Sequence, residues 1–514
     1  MNMTVLFFLG LYFLAMIAIG LWSMRRGAGQ SMEGYYLGGR NVGPLVTAMT
    51  MQTTSMSGYM FLGAGSLGYT QGYYGFWYAA GDIGGGVVNL SVIGRRMRKL
   101  SQIMGALTSI EYLEKRYPSK WVRLVGAFLS IFFLSFYVLA QFIAGGKGLE
   151  LVTGLPYEAS LIIAVTVIIA YTLMGGYSAV AYTDMVQSII MLVGIMWVLI
   201  AALQNVGGLT AANETLAEID PTLLSVWGRD LLYEGQWGMV IGAVLIFSIG
   251  YMGWPHVVTR HMAMKNPNTA RRAGVYSTIW NIMFVSSPYL LGILAIIILP
   301  NLDDPEQAIF TMASTLLPSA VVGIVMAAIM AAIMSTADSI LLQTGSIAAR
   351  DLYERFINPN MGEKQMVNVS RLIVLAIGIG GILAALIEPP AVFAIVIFAT
   401  SVLGSAFLPA YVGAVWWRKA NTPGALASIV VGGSISFLWQ YLGLDGPTEM
   451  HPMLVGVVLS SLTMIAVSLV TQRSHPVPEH ILHAMEETAE LRPLPKGLRA
   501  NQDFTMAHEA MSLT

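Results

Sequence analysis

The sequence has no cysteine and few charges. Without cysteine there is no disulfide framework, no thiolate-held metal and no thiol nucleophile. Charged residues make up 11% of the 514 positions and apolar ones 56%. A soluble domain averages about 25% charged residues, so the composition points to a membrane protein. The formal net charge of −1 leaves no basic surface for nucleic acid. No nucleophile–base pair and no cluster with metal-ligand spacing stands out, which ranks an enzyme last among the classes considered. The first apolar run, 4–23, lacks a basic start and is followed by Arg25 and Arg26. That is the wrong flank for a cleaved signal peptide, so the run is expected to remain as a span.

A spanning helix needs about 20 apolar residues. Thirteen stretches qualify: 4–23, 43–70, 72–94, 122–146, 156–174, 183–205, 237–259, 274–299, 316–347, 368–387, 390–416, 424–442 and 452–471. With the N-terminus outside, alternation sorts the basic residues onto the inner segments, Arg95, Arg96, Arg260, Arg350, Arg492, Lys496 and Arg499 among them. Only Lys147 and Arg229 fall on the outer side. The expectation is a multi-pass protein of the cell (inner) membrane with a cytoplasmic C-terminus. Residues 206–236 form an outer loop with room for a short helix. Residues 472–514 form a polar inner tail with one weakly amphipathic stretch, 479–491.

The stretch from Ala331 to Ser339 organises the chain. Wound as a helix, it puts Ala332, Ser335, Thr336 and Ser339 on one stripe, with Asp338 beside it. Oxygen ligands suit hard cations, and an ionisable residue at membrane depth is costly unless it is used. A small cation, Na⁺ first, is one reading; interhelical hydrogen bonding is the other. Two further spans carry interruptions. The second holds a polar run from Thr50 to Gly58, and the seventh holds glycines and a proline between Ser248 and His256. Discontinuous spans mark transporter binding sites. The interruptions are five spans apart, an odd number, which inverts the second copy. The layout is a five-plus-five inverted repeat over about 43–205 and 237–416, within one transmembrane domain, 1–471.

Charges inside spans are few: Asp82, Asp184 and Asp338. Asp184 reads either as a functional carboxylate or as the N-cap that opens the sixth span. Asp82 faces either a cavity or a neighbouring helix. No buried Arg or Lys is expected at either break. His256 and His261 read as structural residues at a helix end, and Tyr251, inside the break, reads as cavity lining.

Several segments in this order resemble the sodium–solute symporter family, over about residues 4–471. They are Tyr35-Tyr36-Leu37-Gly38-Gly39-Arg40 with Gly43-Pro44, Gly154-Leu155-Pro156-Tyr157, Tyr171-Thr172-Leu173-Met174-Gly175-Gly176 and Asp184. Gly253-Trp254-Pro255-His256, the Met334 to Ser339 run, and Lys419 with Gly424-Ala425 complete the set. The resemblance implies an all-α integral membrane protein of LeuT-like fold. It also implies Na⁺-coupled import of a small organic solute by alternating access, such as pantothenate, proline or a monocarboxylate. Carried over by position, the family's shared sodium site falls on the carbonyls of Thr53, Met56 and Ala332 and the hydroxyls of Ser335 and Thr336. A further sodium, used by some members, falls on Asp184, Ser335, Asp338 and Ser339. Substrate contacts fall on Ser55, Ser57, Tyr137, Phe247, Tyr251 and Pro255. Proline-transporting members carry an aspartate where Ser55 stands and a tryptophan where Phe247 stands, while Ile219-Asp220-Pro221 and the 154–158 stretch look more like pantothenate-type members. H⁺ coupling, an ion channel, and a membrane sensor that binds solute without moving it are the alternatives.

Overall fold

Hydropathy decides where the helices run, and polar or glycine residues decide where they stop. The computed structural model describes residues 3–25, 31–387 and 391–489, all helices and connections among those residues. Among the described residues, nine helices are long and apolar enough to cross a membrane. One of them, Tyr157–Asn205, is two spans that meet at Gly176. The second span (44–71), the third (76–103) and the seventh (237–263) are interrupted or partly polar and complete the thirteen. Arg26, Pro390, Leu491, Arg492, Lys496 and Arg499, all invoked above, lie outside the described residues.

The ninth span, Ser319–Ile347 with its wider-wound extension to Ile357, is the central post. Of its apolar window 83% is buried, against 28% for the first span, Met3–Arg25, and for the tenth, Glu363–Ala385. The fourth span (Lys120–Thr153), the fused fifth and sixth, and the first pack around it. Spans eleven to thirteen (Val392–Trp416, Thr422–Tyr441 and Pro452–Val470) form a flanking group.

Both predicted breaks are present. The second span runs as Pro44–Ser55, opens at Met56 (φ −87°, ψ 71°) and resumes at Gly58. The seventh runs as Trp237–Phe247, passes through a tight turn at Gly250–Gly253 and an extended Trp254, and resumes as Pro255–Ala263.

Several boundaries differ from the hydropathy reading. The sixth span begins just after Gly176, not at 183, so Asp184 is two turns inside a helix and caps nothing. The break itself needs glycine. Gly176 has φ 55°, and a Cβ there would lie 2.7 Å from the Tyr35 carbonyl oxygen. The eighth span begins at Pro267, seven residues early, because Asn266 accepts a hydrogen bond from the Thr269 amide (3.1 Å) and Pro267 opens the helix. The apolar window had stopped at Arg271 and Arg272. The third span runs on to Ile103, and an unforeseen short helix, Ala308–Leu316, precedes the ninth.

At the arginine-rich end, a short helix (Ser109–Arg116) is clamped between the fourth and ninth spans. Glu111 pairs with Arg350 (3.0 Å) and Lys115 (3.3 Å), and Arg123 pairs with Glu114 (2.6 Å) and Asp351 (2.9 Å). The start of the polar tail is ordered too. Helix Glu479–Ala489 buries Ile481, Ala484 and Met485, and Glu486 meets Arg418 at 2.6 Å.

Candidate functional site

Ending a helix at Ser55 strands the carbonyls of its last turn. The Met56 amide still bonds to Gln52 (2.7 Å), but the Gly58 amide turns away to the Gln141 side chain (2.9 Å). The stranded carbonyls are met by the ninth span. Ser335 Oγ and Thr336 Oγ1 both donate to the Thr53 carbonyl at 3.1 Å. Thr336 also reaches the Thr54 carbonyl (3.2 Å), and Ser335 also reaches the Ala332 carbonyl (3.2 Å). Thr53, Ala332, Ser335 and Thr336 therefore converge, and Met56 sits at the break itself, fully buried. Neutral oxygens from two elements are suited to a hard monovalent cation.

One turn along the ninth span, Asp184, Asp338 and Ser339 meet. All are buried. Asp184 Oδ2 accepts from Thr50 Oγ1 (2.5 Å), and Ser339 Oγ accepts from Thr54 Oγ1 (3.1 Å). Asp338 has Tyr171, Ser339, Asp184 and Arg260 as polar neighbours, with no hydrogen bond of ordinary geometry to either carboxylate oxygen. Tyr171 spends its hydroxyl on the Met334 carbonyl (3.2 Å).

Arg260 corrects the expectation that no cation lies near a break. It is 2% exposed and belongs to the second half of the seventh span, not to an inner loop. Its guanidinium reaches the Thr50 carbonyl (3.1 Å), the His256 carbonyl (2.5 Å), Ser339 Oγ (2.6 Å) and Thr54 Oγ1, and it stands 3.7 Å from Asp184 Oδ2. One side chain thus links the Pro44–Ser55 half of the second span and the Pro255–Ala263 half of the seventh to the sixth and ninth. Placing Arg260 at a helix end because of its charge hid this role.

The six substrate candidates ring the two breaks. Ser55 turns its hydroxyl back onto the Met51 and Gln52 carbonyls (2.8 and 3.0 Å), while Ser57 lies in the break and accepts from the Tyr59 amide (3.3 Å). Phe247 ends the first half of the seventh span and stacks on Tyr59, with ring centres 4.9 Å apart. Tyr251 meets Trp254 edge-on at 4.5 Å. Tyr137, from the fourth span, lies edge-on to His256 (5.8 Å), with its hydroxyl beside Ser57 but outside ordinary hydrogen-bond geometry. Pro255 opens the second half.

Two more residues join them. Asp82, undecided from sequence, accepts from Tyr59 (2.5 Å) and from Tyr251, so it faces both breaks. The glycines around it are the signal that could have shown this. A Cβ on Gly81 would lie 2.4 Å from the Val244 carbonyl oxygen, and one on Gly85 would lie 2.2 Å from that of Phe247. His256 is stacked on Trp254 (5.7 Å) with neither ring nitrogen hydrogen-bonded. His261 is structural, as expected, with Nε2 2.8 Å from Asn89 Oδ1.

Comparison with known proteins agrees with this architecture. Residues 35–432 match the model of the sodium:solute symporter family. The chain is 30% identical to the osmoregulated proline transporter OpuE of Bacillus subtilis (strain 168), over 95% of this chain and 99% of that one. It is also 30% identical to the high-affinity proline transporter PutP of the same organism, over 89% and 96%. A Na⁺-coupled sialic acid symporter superposes with a TM-score of 0.76 at 18% identity, covering 93% of this chain and 100% of that one. A nucleobase-cation-symport-1 family transporter superposes with a TM-score of 0.56 at 16% identity, over 89% and 98%. The chain belongs to the sodium:solute symporter family, as a multi-pass membrane transporter of LeuT-like fold that moves a small solute together with Na⁺.

Proposed function

We propose that the protein imports a small organic solute, L-proline first among the candidates, with Na⁺ and by alternating access, and releases it chemically unchanged. The observation that carries this reading is the pair of hydroxyls, Ser335 and Thr336, on the Thr53 carbonyl at the break. In this reading a sodium ion sits between the two hydroxyl oxygens and the Thr53 carbonyl, and the hydroxyls keep their protons and turn them away from it. Its ligands are the carbonyls of Thr53, Met56 and Ala332 and the two hydroxyls. Solute binds among Ser55, Ser57, Tyr137, Phe247, Tyr251 and Pro255, beside the same break. Each ligand then raises the other's affinity by the same factor, and a hundredfold coupling takes about 3 kcal/mol. The membrane potential adds about 2.3 kcal/mol per charge per 100 mV.

The two curated proline transporters support proline as the first candidate. The second cation position is Asp184, Asp338 and Ser339. Two carboxylates against the one guanidinium of Arg260 leave one negative charge, which suits a single Na⁺ or H⁺. Residues 1–471 form one transport domain with inverted repeats over about 43–205 and 237–416, and 472–514 is its appended tail. The N-terminus lies outside and the arginine-rich end faces the cytoplasm.

The test is uptake of radiolabelled L-proline into proteoliposomes under an inward Na⁺ gradient, with K⁺ and H⁺ gradients as controls. Uptake is expected with Na⁺ only. Ser335→Ala and Thr336→Ala are each expected to raise the Na⁺ concentration for half-maximal uptake by about tenfold. Unchanged Na⁺ dependence in both variants would refute the assignment of the site.

A further inference from the structure

Among the described residues, Asp82 is the one buried acid near the breaks that neither cation position uses. It is fully buried on the third span, and its partners are phenols: Tyr59, just past the break of the second span, and Tyr251, inside the break of the seventh. Asn281 of the eighth span donates to the Asp82 carbonyl at 2.8 Å and pins that turn. No cationic side chain pairs with the carboxylate among the described residues. Two phenols supply hydrogen bonds but no countercharge, and an ionised carboxylate kept from water without one is expensive. A neutral amide could hold two phenols at lower cost, so a merely structural clasp does not account for a carboxylate here.

The surroundings say what kind of partner fits. Phe247, Tyr251 and Trp254 form a continuous aromatic group: Phe247 and Trp254 are 6.1 Å apart edge-on, and Tyr251 and Trp254 are 4.5 Å apart. Aromatic faces attract organic cations. A carboxylate offers about four acceptor sites, of which the phenols take two. Trp254 also stacks on His256 (5.7 Å), which has a ring N–H to donate and no protein acceptor for it. That N–H suits an anionic group.

We propose that Asp82 binds the ammonium group of the transported solute, so that the solute class is a zwitterion with a cationic amine, not a sugar or a plain carboxylate. This rests on the solute-symport reading above and narrows it. The ammonium lies against the aromatic group and Asp82, and the carboxylate end lies towards His256. Because Tyr59 and Tyr251 come from the two broken spans, an ammonium at Asp82 is sensed by both halves of the repeat at once.

The experiment compares ammonium compounds with isosteric carboxylates that lack the cationic nitrogen, by thermal shift of the purified full chain in Na⁺. The pairs are L-proline with tetrahydrofuroate, and glycine betaine with tert-butylacetate; galactose is included as an uncharged solute. In the parent protein at least one ammonium compound is expected to stabilise at a concentration at least about tenfold below that of its isostere. Asp82→Asn should erase that preference while Na⁺ alone still raises the melting temperature. The parent-protein arm needs no variant and stands even if Asp82→Asn does not fold. The proposal is overturned if the isosteres bind as well as the ammonium compounds, if Asp82→Asn keeps the preference, or if only galactose binds. It also falls if no panel member binds while Na⁺ does, and the sodium reading then survives. If Na⁺ itself produces no shift but the ammonium preference is present, the sodium assignment fails and Asp82 stands.

Discussion

At the scale of single residues, the main electrostatic feature is the placement of Arg260. Its guanidinium is held by two carbonyls and two hydroxyls and faces Asp184 at 3.7 Å. Removing one partner of a buried ion pair strands the other, at about 3–5 kcal/mol, whereas removing both is far milder. Arg260→Gln is therefore expected to lower the melting temperature strongly. Asp184→Asn in the same chain should recover a large part of that loss, read as the interaction energy of a double-mutant cycle. Additive effects would mean that the two groups do not interact. The same pair bears on transport. In the proposed second cation position, an ion held by Asp184 and Asp338 would compete with Arg260 for Asp184, which would link its occupancy to movement of the Pro255–Ala263 half of the seventh span.

Elements are brought together by what their residues leave out. The third span presents Gly81 and Gly85 to the seventh, whose carbonyls come within 2.4 and 2.2 Å of the positions a Cβ would take. Neither contact can be relieved by turning a side chain, because the obstacle is backbone. Gly85→Ala is expected to cost about 3 kcal/mol, seen as a lower melting temperature. Gly84, one residue earlier on the same helix, has nothing within 4 Å of a Cβ, so Gly84→Ala should be neutral or stabilising by about 0.5–1 kcal/mol. Equal effects at both positions would show that helix propensity, not the close approach of the seventh span, governs this surface. At the arginine-rich end the short helix depends on charge. Burial pushes the Glu111 carboxyl up, but Arg350, Lys115 and Arg123 outweigh it and hold it well below the usual carboxylate range. A depressed folded-state value means that the stabilisation is present above the unfolded value of 4.5 and is lost as the pH falls towards the folded one. Glu111→Gln should thus be less stable than the parent at neutral pH, and the gap should narrow below pH 4.5.

For the whole molecule, the proposed orientation in the membrane rests on charge placement, and the absence of cysteine makes it directly testable. Glu218, exposed on the loop between the sixth and seventh spans, and Asn360, exposed between the ninth and tenth, lie on opposite sides in the proposed topology. In intact cells, Glu218→Cys should react with a membrane-impermeant maleimide, and Asn360→Cys should react only after the cells are opened. The reverse pattern would invert the molecule. The arginine-rich face also carries helix Glu479–Ala489, where Lys99 donates to the Glu487 carbonyl (2.5 Å).

The sequence by itself determined the spans, the two breaks and the hydroxyl stripe. Each follows from a property local along the chain: apolar length, glycine and proline in a helix, and the three-and-four spacing of side chains. That Ser335 and Thr336 meet the second span was implied by the family resemblance and not by any local pattern. Apolar windows misjudged where polar residues are enclosed, because a window reads a charge as a boundary. The sixth and eighth spans were therefore begun six and seven residues too late, Asp184 passed as a possible cap, and Arg260 was assigned to a loop. Tertiary structure alone decided which charges meet. Asp82 lies 169 residues from Tyr251, and Arg260 lies 79 from Ser339. Nothing local encodes those pairings. They arise because glycine faces let broken helices approach, which strands backbone and side-chain groups that only a partner from another span can satisfy.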